Sequence, residues 1–408
     1  MYNDTRPLIM HIDLNSCFAT IEQQARPRLR GRPVAVTNRL RGNATIVTAS
    51  YEAKAYGITT GTRLYDARRV CPGLVVVESD PPKYRYVYHQ LMRIMSDYSA
   101  YVRMKSIDEG VIDFGETTAA IARRDLVEIG YEIKHRLRDE IGCWMRCNVG
   151  ISTNRFLAKM AAGLHKPDGL DVITHENLRD VFSTLDLEDI TGIAHRNRHR
   201  LESVGIMTPL EFLDADEATL RDVVFKSVEG TRWHQRLRGY EVDKRDFALK
   251  SAGRQFVMDG YRLSRSDVLK RLHHLAEETG AKVRSKGMVA RGVEVWARTY
   301  DHGGWHAKQM SPLPFYSDRA IYAQARELFM NAPGDIKMIA VSCYGLESAD
   351  VMVSQLSLFG DELARTRAVT NAVDEINARF GERRIHSADT LGTDMVKRKI
   401  PFGSTRYM

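Results

Sequence analysis

The stretch Ser106-Ile107-Asp108-Glu109-Gly110-Val111-Ile112-Asp113-Phe114 sets two adjacent carboxylates between apolar, alternating runs. A regular strand sends neighbouring side chains to opposite faces, so Asp108 and Glu109 can share a ligand only at a turn or bulge. Gly110 permits such a bend. The region from about Val102 to Phe114 therefore reads as a hairpin with an acid pair at its tip. Such a pair is either a solvated turn or part of a site for a hard cation such as Mg²⁺.

The upstream sequence bears on that choice. Leu8-Ile9-Met10-His11-Ile12-Asp13-Leu14 reads as a buried strand ending in an acid, and Asn15-Ser16 caps a helix from Cys17 to about Gln24. After the hairpin, Leu126, Ile129, Ile133, Leu137 and Ile141 recur at three- and four-residue steps and mark an amphipathic helix. A strand at Cys147–Ser152 and a helix through Phe156, Leu157, Met160 and Leu164 follow. With residues 33–98 set aside as an insertion, the order is β-α-β-β-α-β. In that arrangement the first two strands are parallel and the third returns between them, which brings Asp13 beside Asp108 and Glu109. Three uncompensated acids at one point repel each other unless a cation sits among them, which favours the functional reading.

Three acids suit two Mg²⁺ ions, the usual apparatus for in-line displacement at phosphorus. Groups that hold phosphate oxygens should then lie close by. Thr48, Tyr51 and Lys54 share one face across a strand-to-helix junction, and Lys166-Pro167-Asp168-Gly169 supplies another lysine in a turn. Singly each reads as surface; together they form a triphosphate cradle.

The 408 residues suffice for two to four domains, and 43% apolar with 27% charged residues is a soluble globular composition. No window approaches the roughly 18 apolar residues of a membrane span. The amino-terminal residues lack a signal-peptide pattern, so the cytoplasm is the expected location. The five cysteines are scattered, and Cys143 and Cys147 have no second ligand pair, so zinc is not expected. Of the net +8 charge, +7 falls between Lys244 and Lys308, with 14 Lys/Arg against 7 Asp/Glu. That concentration points to a polyanion.

The ordered set of motifs resembles the Y-family (DinB/UmuC-type) translesion DNA polymerases. His11 to Ala19 and Ser106 to Glu109 resemble that family's two metal-binding motifs, and Thr48 to Lys54 its triphosphate-binding fingers motif. Val149-Gly150-Ile151-Ser152 and Lys166-Pro167-Asp168-Gly169 resemble its late palm motifs. The resemblance implies that Asp13, Asp108 and Glu109 are catalytic and hold the two metals, with the Leu14 carbonyl as a further ligand. It implies that Cys17, Phe18, Thr48, Tyr51, Lys54 and Lys166 bind the incoming dNTP, with Phe18 as the steric gate against a ribose 2′-hydroxyl. Lys54 stands where many members carry arginine, keeping the charge but losing the bidentate fork. Asn15 replaces a second aspartate found in some members, as UmuC-like members also do. His11 is assigned to packing.

The implied fold is α+β and multidomain: a ferredoxin-like palm (1–32 and 99–175), inserted fingers (33–98), a helical thumb (176–243) and a second βαββαβ little finger (244–348). A tail occupies 349–408, with one helix through about Arg379. In the thumb, Thr191-Gly192-Ile193-Ala194 resembles a helix-hairpin-helix turn with its second glycine replaced; its basic flank from His195 to Arg200 is either a DNA-phosphate contact or solvated surface. Gln355, Leu356, Leu358 and Phe359 either pack within the chain or form the peptide by which bacterial polymerases dock on the sliding clamp. The resemblance implies a monomer acting on primer-template DNA and copying damaged template with low fidelity. The rival readings are a non-catalytic adaptor that binds DNA and the clamp, and another metal-dependent nucleotidyl transferase.

Overall fold

Six residues, Ile9–Leu14, form strand β1 at the centre of a five-stranded sheet. The computed structural model describes residues 1–40, 44–244, 248–258, 263–301, 303–315, 317–349 and 361–393. They divide into two units, Met1–Arg245 and Asp246–Lys397.

In the first unit β1 leads through an abrupt turn into helix α1 (Cys17–Ala25). Strands β2 (Val34–Thr37), β3 (Ile46–Ala49) and β4 (Val75–Glu78) form a small separate sheet, with helices α2 (Tyr51–Lys54) and α3 (Leu64–Val70) between β3 and β4. Helix α4 (Pro81–Ser96) starts at Asp80, whose side chain accepts a hydrogen bond from the Lys83 amide. Strands β5 (Val102–Met104) and β6 (Glu109–Asp113) form the acid-bearing hairpin. Helices α5 (Ala119–Ala122) and α6 (Leu126–Arg136), strand β7 (Cys147–Ser152), helix α7 (Arg155–Leu164) and strand β8 (Leu170–Val172) follow. Short helices α8 (Leu178–Ser183), α9 (His195–Glu202), α10 (Pro209–Asp214) and α11 (Glu229–Leu237) complete the unit around Phe182, Phe212 and Trp233.

The main sheet runs β5-β6-β1-β7-β8, with β6 antiparallel to both β1 and β5. This is the expected split arrangement, extended by β8, which pairs parallel to β7. One sheet face buries Met10, Ile12, Ile112 and Val149 against Leu91 and Ile94 of α4 and Ile129 and Ile133 of α6. The opposite face carries α7, with Ala158 against Ile9 and Val111. A Cβ at Gly150 would lie 2.0 Å from the Ala158 carbonyl oxygen, so the close approach of α7 to β7 requires glycine there.

Two local expectations change. Gly110 lies within β6, opposite Ile12 and Met104, while the reversal falls at residues 105–108. A Cβ on Gly110 would come 2.7 Å from the Met104 sulfur and 2.8 Å from the Met95 methyl, so packing is its reason. The amphipathic helix ends at Arg136 and widens into a π-turn at Leu137–Ile141, stopped by Gly142.

The second unit holds β9 (Ser251–Val257), α12 (Arg265–Arg284), β10 (Met288–Thr299), β11 (Gly304–Phe315), α13 (Asp318–Phe329) and β12 (Ile336–Ser348), again β-α-β-β-α-β. Its sheet order is β11-β10-β12-β9, so here the last strand separates the first two. Helix α14 (Asp361–Phe380) belongs to this unit, tied by Asp374 to Arg284 at 2.6 Å. Beyond it, Arg383 pairs with Glu277, and the buried Thr393 hydroxyl meets His274 at 2.7 Å. Among the described residues no helix is long and apolar enough to cross a membrane.

Candidate active site

The end of β1 and the β5–β6 turn are joined through the backbone: Asp13 faces Glu109 in the antiparallel register, and the Leu14 amide donates to the Asp108 carbonyl at 2.9 Å. Ser16 then takes a left-handed conformation, φ 44°, which turns the chain sharply into α1. The first amides of α1 consequently sit beside the acids, where a helix N-terminus favours anions.

A cleft of about 240 Å³ opens at this corner. Asp13, Leu14, Cys17, Phe18, Thr48, Tyr51, Lys54, Asp108 and Lys166 all line it, together with Asn15, Ser16 and Thr60. Segments far apart in the chain are thus brought to one place. Glu109 is placed differently: its carboxylate receives the Lys159 ammonium at 2.8 and 2.9 Å and meets His11 Nε2 at 3.2 Å. Although its burial opposes ionisation, His11 and Lys159 together hold the Glu109 carboxyl down at about 2.

Asp108 is the contrasting case. It is largely buried, accepts from the Ser106 hydroxyl, and has no lysine or arginine partner among the described residues. Burial raises its pKa, and the neighbouring charges of Asp13 and Glu109 push the same way. Asp13 is paired with the Lys166 ammonium. The Cys17 thiol is pushed well up, first by burial and then by Asp108 and Asp13, so it stays protonated.

Across the cleft, Lys54 lies 4.4 Å from the centre of the Tyr51 ring. Burial, followed by repulsion from Lys166, lowers the Lys54 pKa, whereas burial and then Asp13 raise that of Tyr51. The cleft thus holds two acids and two ammonium groups, one of which, Lys166, is already paired with Asp13. Phe18 is 7% exposed and stacks on Tyr84 with ring centres 4.3 Å apart and planes 8° from parallel. Tyr84 in turn donates to the fully buried Glu22 at 2.9 Å, and Lys83 donates to the same carboxylate.

Among the described residues no group of three or more His, Cys, Asp or Glu side chains stands arranged around a single point to hold a metal. The donor chemistry nevertheless fits a hard cation: Asp108 is a desolvated carboxylate beside two other acids, and Asp13 already holds a cationic group. Oxygen donors from Asp13 and Asp108 face the cleft, while Glu109 must exchange Lys159 to join them.

Sequence reasoning missed the partners of Glu109. The sequence reading assigns His11 to packing, but it stands two residues before Asp13 on the same strand face, and that period-two spacing is the available signal. Lys159 carried no such signal. In the thumb turn Gly192 has φ +99° and backs onto Trp233, and Arg198 is paired with Glu202 at 2.7 Å, so part of the basic flank is neutralised internally. Gln355, Leu356, Leu358 and Phe359 lie outside the described residues.

Comparison with known proteins adds an independent line. Residues 12–163 match the impB/mucB/samB family and residues 250–358 the impB/mucB/samB family C-terminal domain. The chain is 32% identical to DNA polymerase IV of Moorella thermoacetica, covering 94% of this chain and 96% of that one. It is 27% identical to DNA polymerase IV 1 of Bacillus subtilis (strain 168), covering 96% and 95%. Among solved structures it resembles a Y-family DNA polymerase chimera of Dbh and Dpo4, with TM-score 0.68, 22% identity and 83% and 98% of the two chains covered. An insertion ternary complex of Dbh DNA polymerase gives TM-score 0.59, also at 22% identity, over 82% and 98%.

Proposed function

The chain belongs to the Y-family of DNA polymerases and is a DNA-directed DNA polymerase of the translesion type, and from that premise we propose that it extends primers with dNTPs at low fidelity through two Mg²⁺ ions. The observation that carries the reading is the cleft that gathers Asp13, Asp108, Lys54 and Lys166 beside the first turn of α1. Asp13, Asp108 and Glu109, with the Leu14 carbonyl, would hold the ions. Bound there, Mg²⁺ supplies activation of the primer hydroxyl and neutralisation of charge on the phosphates.

The protein's own groups do the rest by positioning and electrostatics. Lys54 and Lys166 bind the outer phosphates, Tyr51 and Thr48 offer hydroxyls, and the amides of Cys17 and Phe18 face the triphosphate from the helix N-terminus. The Phe18 ring, backed by Tyr84, excludes a ribose 2′-hydroxyl. The basic segment from Lys244 to Lys308 grips duplex phosphates without reading bases, and residues 355–359 dock on a bacterial sliding clamp.

Primer extension with dNTPs and Mg²⁺, on an undamaged template and past a defined abasic site, tests the proposal. Extension on both supports it. A protein that binds primer-template but adds no nucleotide to either would be the non-catalytic adaptor. Deleting residues 355–359 should weaken clamp binding while leaving distributive synthesis intact; unchanged clamp affinity removes that assignment.

A further inference from the structure

We infer that Asn15 and Asn148, a buried pair of side-chain amides, are positioning residues that set where Lys166 stands in the cleft. The inference rests on the proposed role of Lys166 in triphosphate binding. Lys166 belongs to no helix or strand; it lies in the turn between α7 and β8. Its reach into the cleft depends on how that turn is held.

Two side chains from the central sheet bracket it. Asn148 Nδ2 donates to the His165 carbonyl at 3.0 Å, on the amino-terminal side of Lys166. Asn15 Oδ1 accepts from the Asp168 amide at 2.7 Å, on the other side. The two amides are joined to each other, Asn15 Nδ2 donating to Asn148 Oδ1 at 2.8 Å. Asn15 is 3% exposed and Asn148 fully buried.

Each amide therefore uses both its donor and its acceptor, in a chain with one direction. A carboxylate at position 15 lacks the donor for Asn148, and one at position 148 lacks the donor for His165. Asn148 also faces Asp13 across the β1–β7 register. The strands that present Asp13 thus fix the backbone that presents Lys166, so the paired acid and ammonium are held as one unit. Lys134 reinforces the turn from α6, donating to the Asp168 and Gly169 carbonyls.

The test is single-nucleotide insertion of dATP opposite template thymine, with kcat and KM measured separately. Lys166→Ala should raise KM for dATP about tenfold, the usual worth of one charge-assisted contact. Asn148→Ala and Asn15→Ala should each raise it about fivefold with kcat within about twofold. The decisive reading is the double variant: in the Lys166→Ala background, Asn148→Ala should add nothing further to KM. Should the two increments multiply instead, or should kcat fall with KM unchanged, the amides support the fold alone and the inference is overturned. A KM effect for Lys166→Ala with none for either asparagine variant overturns it while sparing the proposed function. No effect of Lys166→Ala removes the triphosphate role of Lys166, and this inference with it.

Discussion

Tyr84 offers a way to separate the stability around Phe18 from the selectivity proposed for it. Its ring lies flat against Phe18, and its hydroxyl donates to Glu22 Oε1 at 2.9 Å. Tyr84→Phe keeps the stack and removes one hydrogen bond to a charged acceptor. Such a bond is worth about 1.5–3 kcal/mol, and the value should fall near the lower end because Lys83 still neutralises Glu22. For a unit of this size that lowers Tm by roughly 3–6 °C. Tyr84→Ala removes the ring as well, at a cost of about 4–6 kcal/mol for the cavity and the lost stack. It also leaves Phe18 free to tilt into the vacated space. Insertion of ATP and of dATP by each variant, at a temperature where both remain folded, reads the gate directly. Tyr84→Phe should discriminate against the ribonucleotide as well as the parent does, and Tyr84→Ala should lose discrimination by about tenfold or more. If both variants admit ATP equally, or neither does, the stack is not what holds Phe18.

Other perturbations test the rest of the architecture. Gly150→Ala should be severely destabilising, because its Cβ meets backbone atoms of α7 at 2.0 and 2.2 Å, whereas Gly163→Ala, helical with open space around it, should raise stability by about 1 kcal/mol; thermal melts of the two compare them. Arg284→Ala should cost the second unit about 3–5 kcal/mol, because Asp318 and Asp374 lose their shared partner. Burial already raises the Asp318 pKa while Arg284 opposes that rise, so the pairing stabilises only as Asp318 ionises and is lost as pH falls; the deficit of Arg284→Ala should be greater at pH 7 than at pH 5, and earlier proteolysis of residues 361–393 would report it. Lys166→Ala should tighten Mn²⁺ binding in the absence of nucleotide by several-fold, since it removes the ammonium competing for Asp13; weaker or unchanged affinity in a spin-resonance titration contradicts this.

The chain revealed most where a periodic pattern coincided with a chemical one. Cys147–Ser152 was legible as a strand to the residue, and the acid ending β1 could be joined to the β5–β6 turn because split βαβ topology leaves little choice of edge. That Tyr51, Lys54 and Lys166 meet in one cleft was legible only by taking them as a set: Tyr51 and Lys54 share one helical turn, but Lys166 comes from the far end of the palm. Features set by close approach were not legible. Nothing along the sequence distinguishes a glycine that bends from one that admits a methionine, and Gly110 was assigned the wrong reason for that cause. Lys159 meets Glu109 only because α7 crosses the sheet at one angle. The short strands β4 and β8 were missed because three or four residues carry too little alternation to stand apart from a loop.

The central claim concerns the acids at the end of β1 and in the β5–β6 turn. It is tested most directly by single-turnover extension of a bound primer by Asp108→Asn, with primer-template affinity measured on the same preparation. Loss of extension by about a thousandfold or more, at a DNA Kd within about twofold of the parent, is the predicted outcome. Extension within about tenfold of the parent rate would contradict the account.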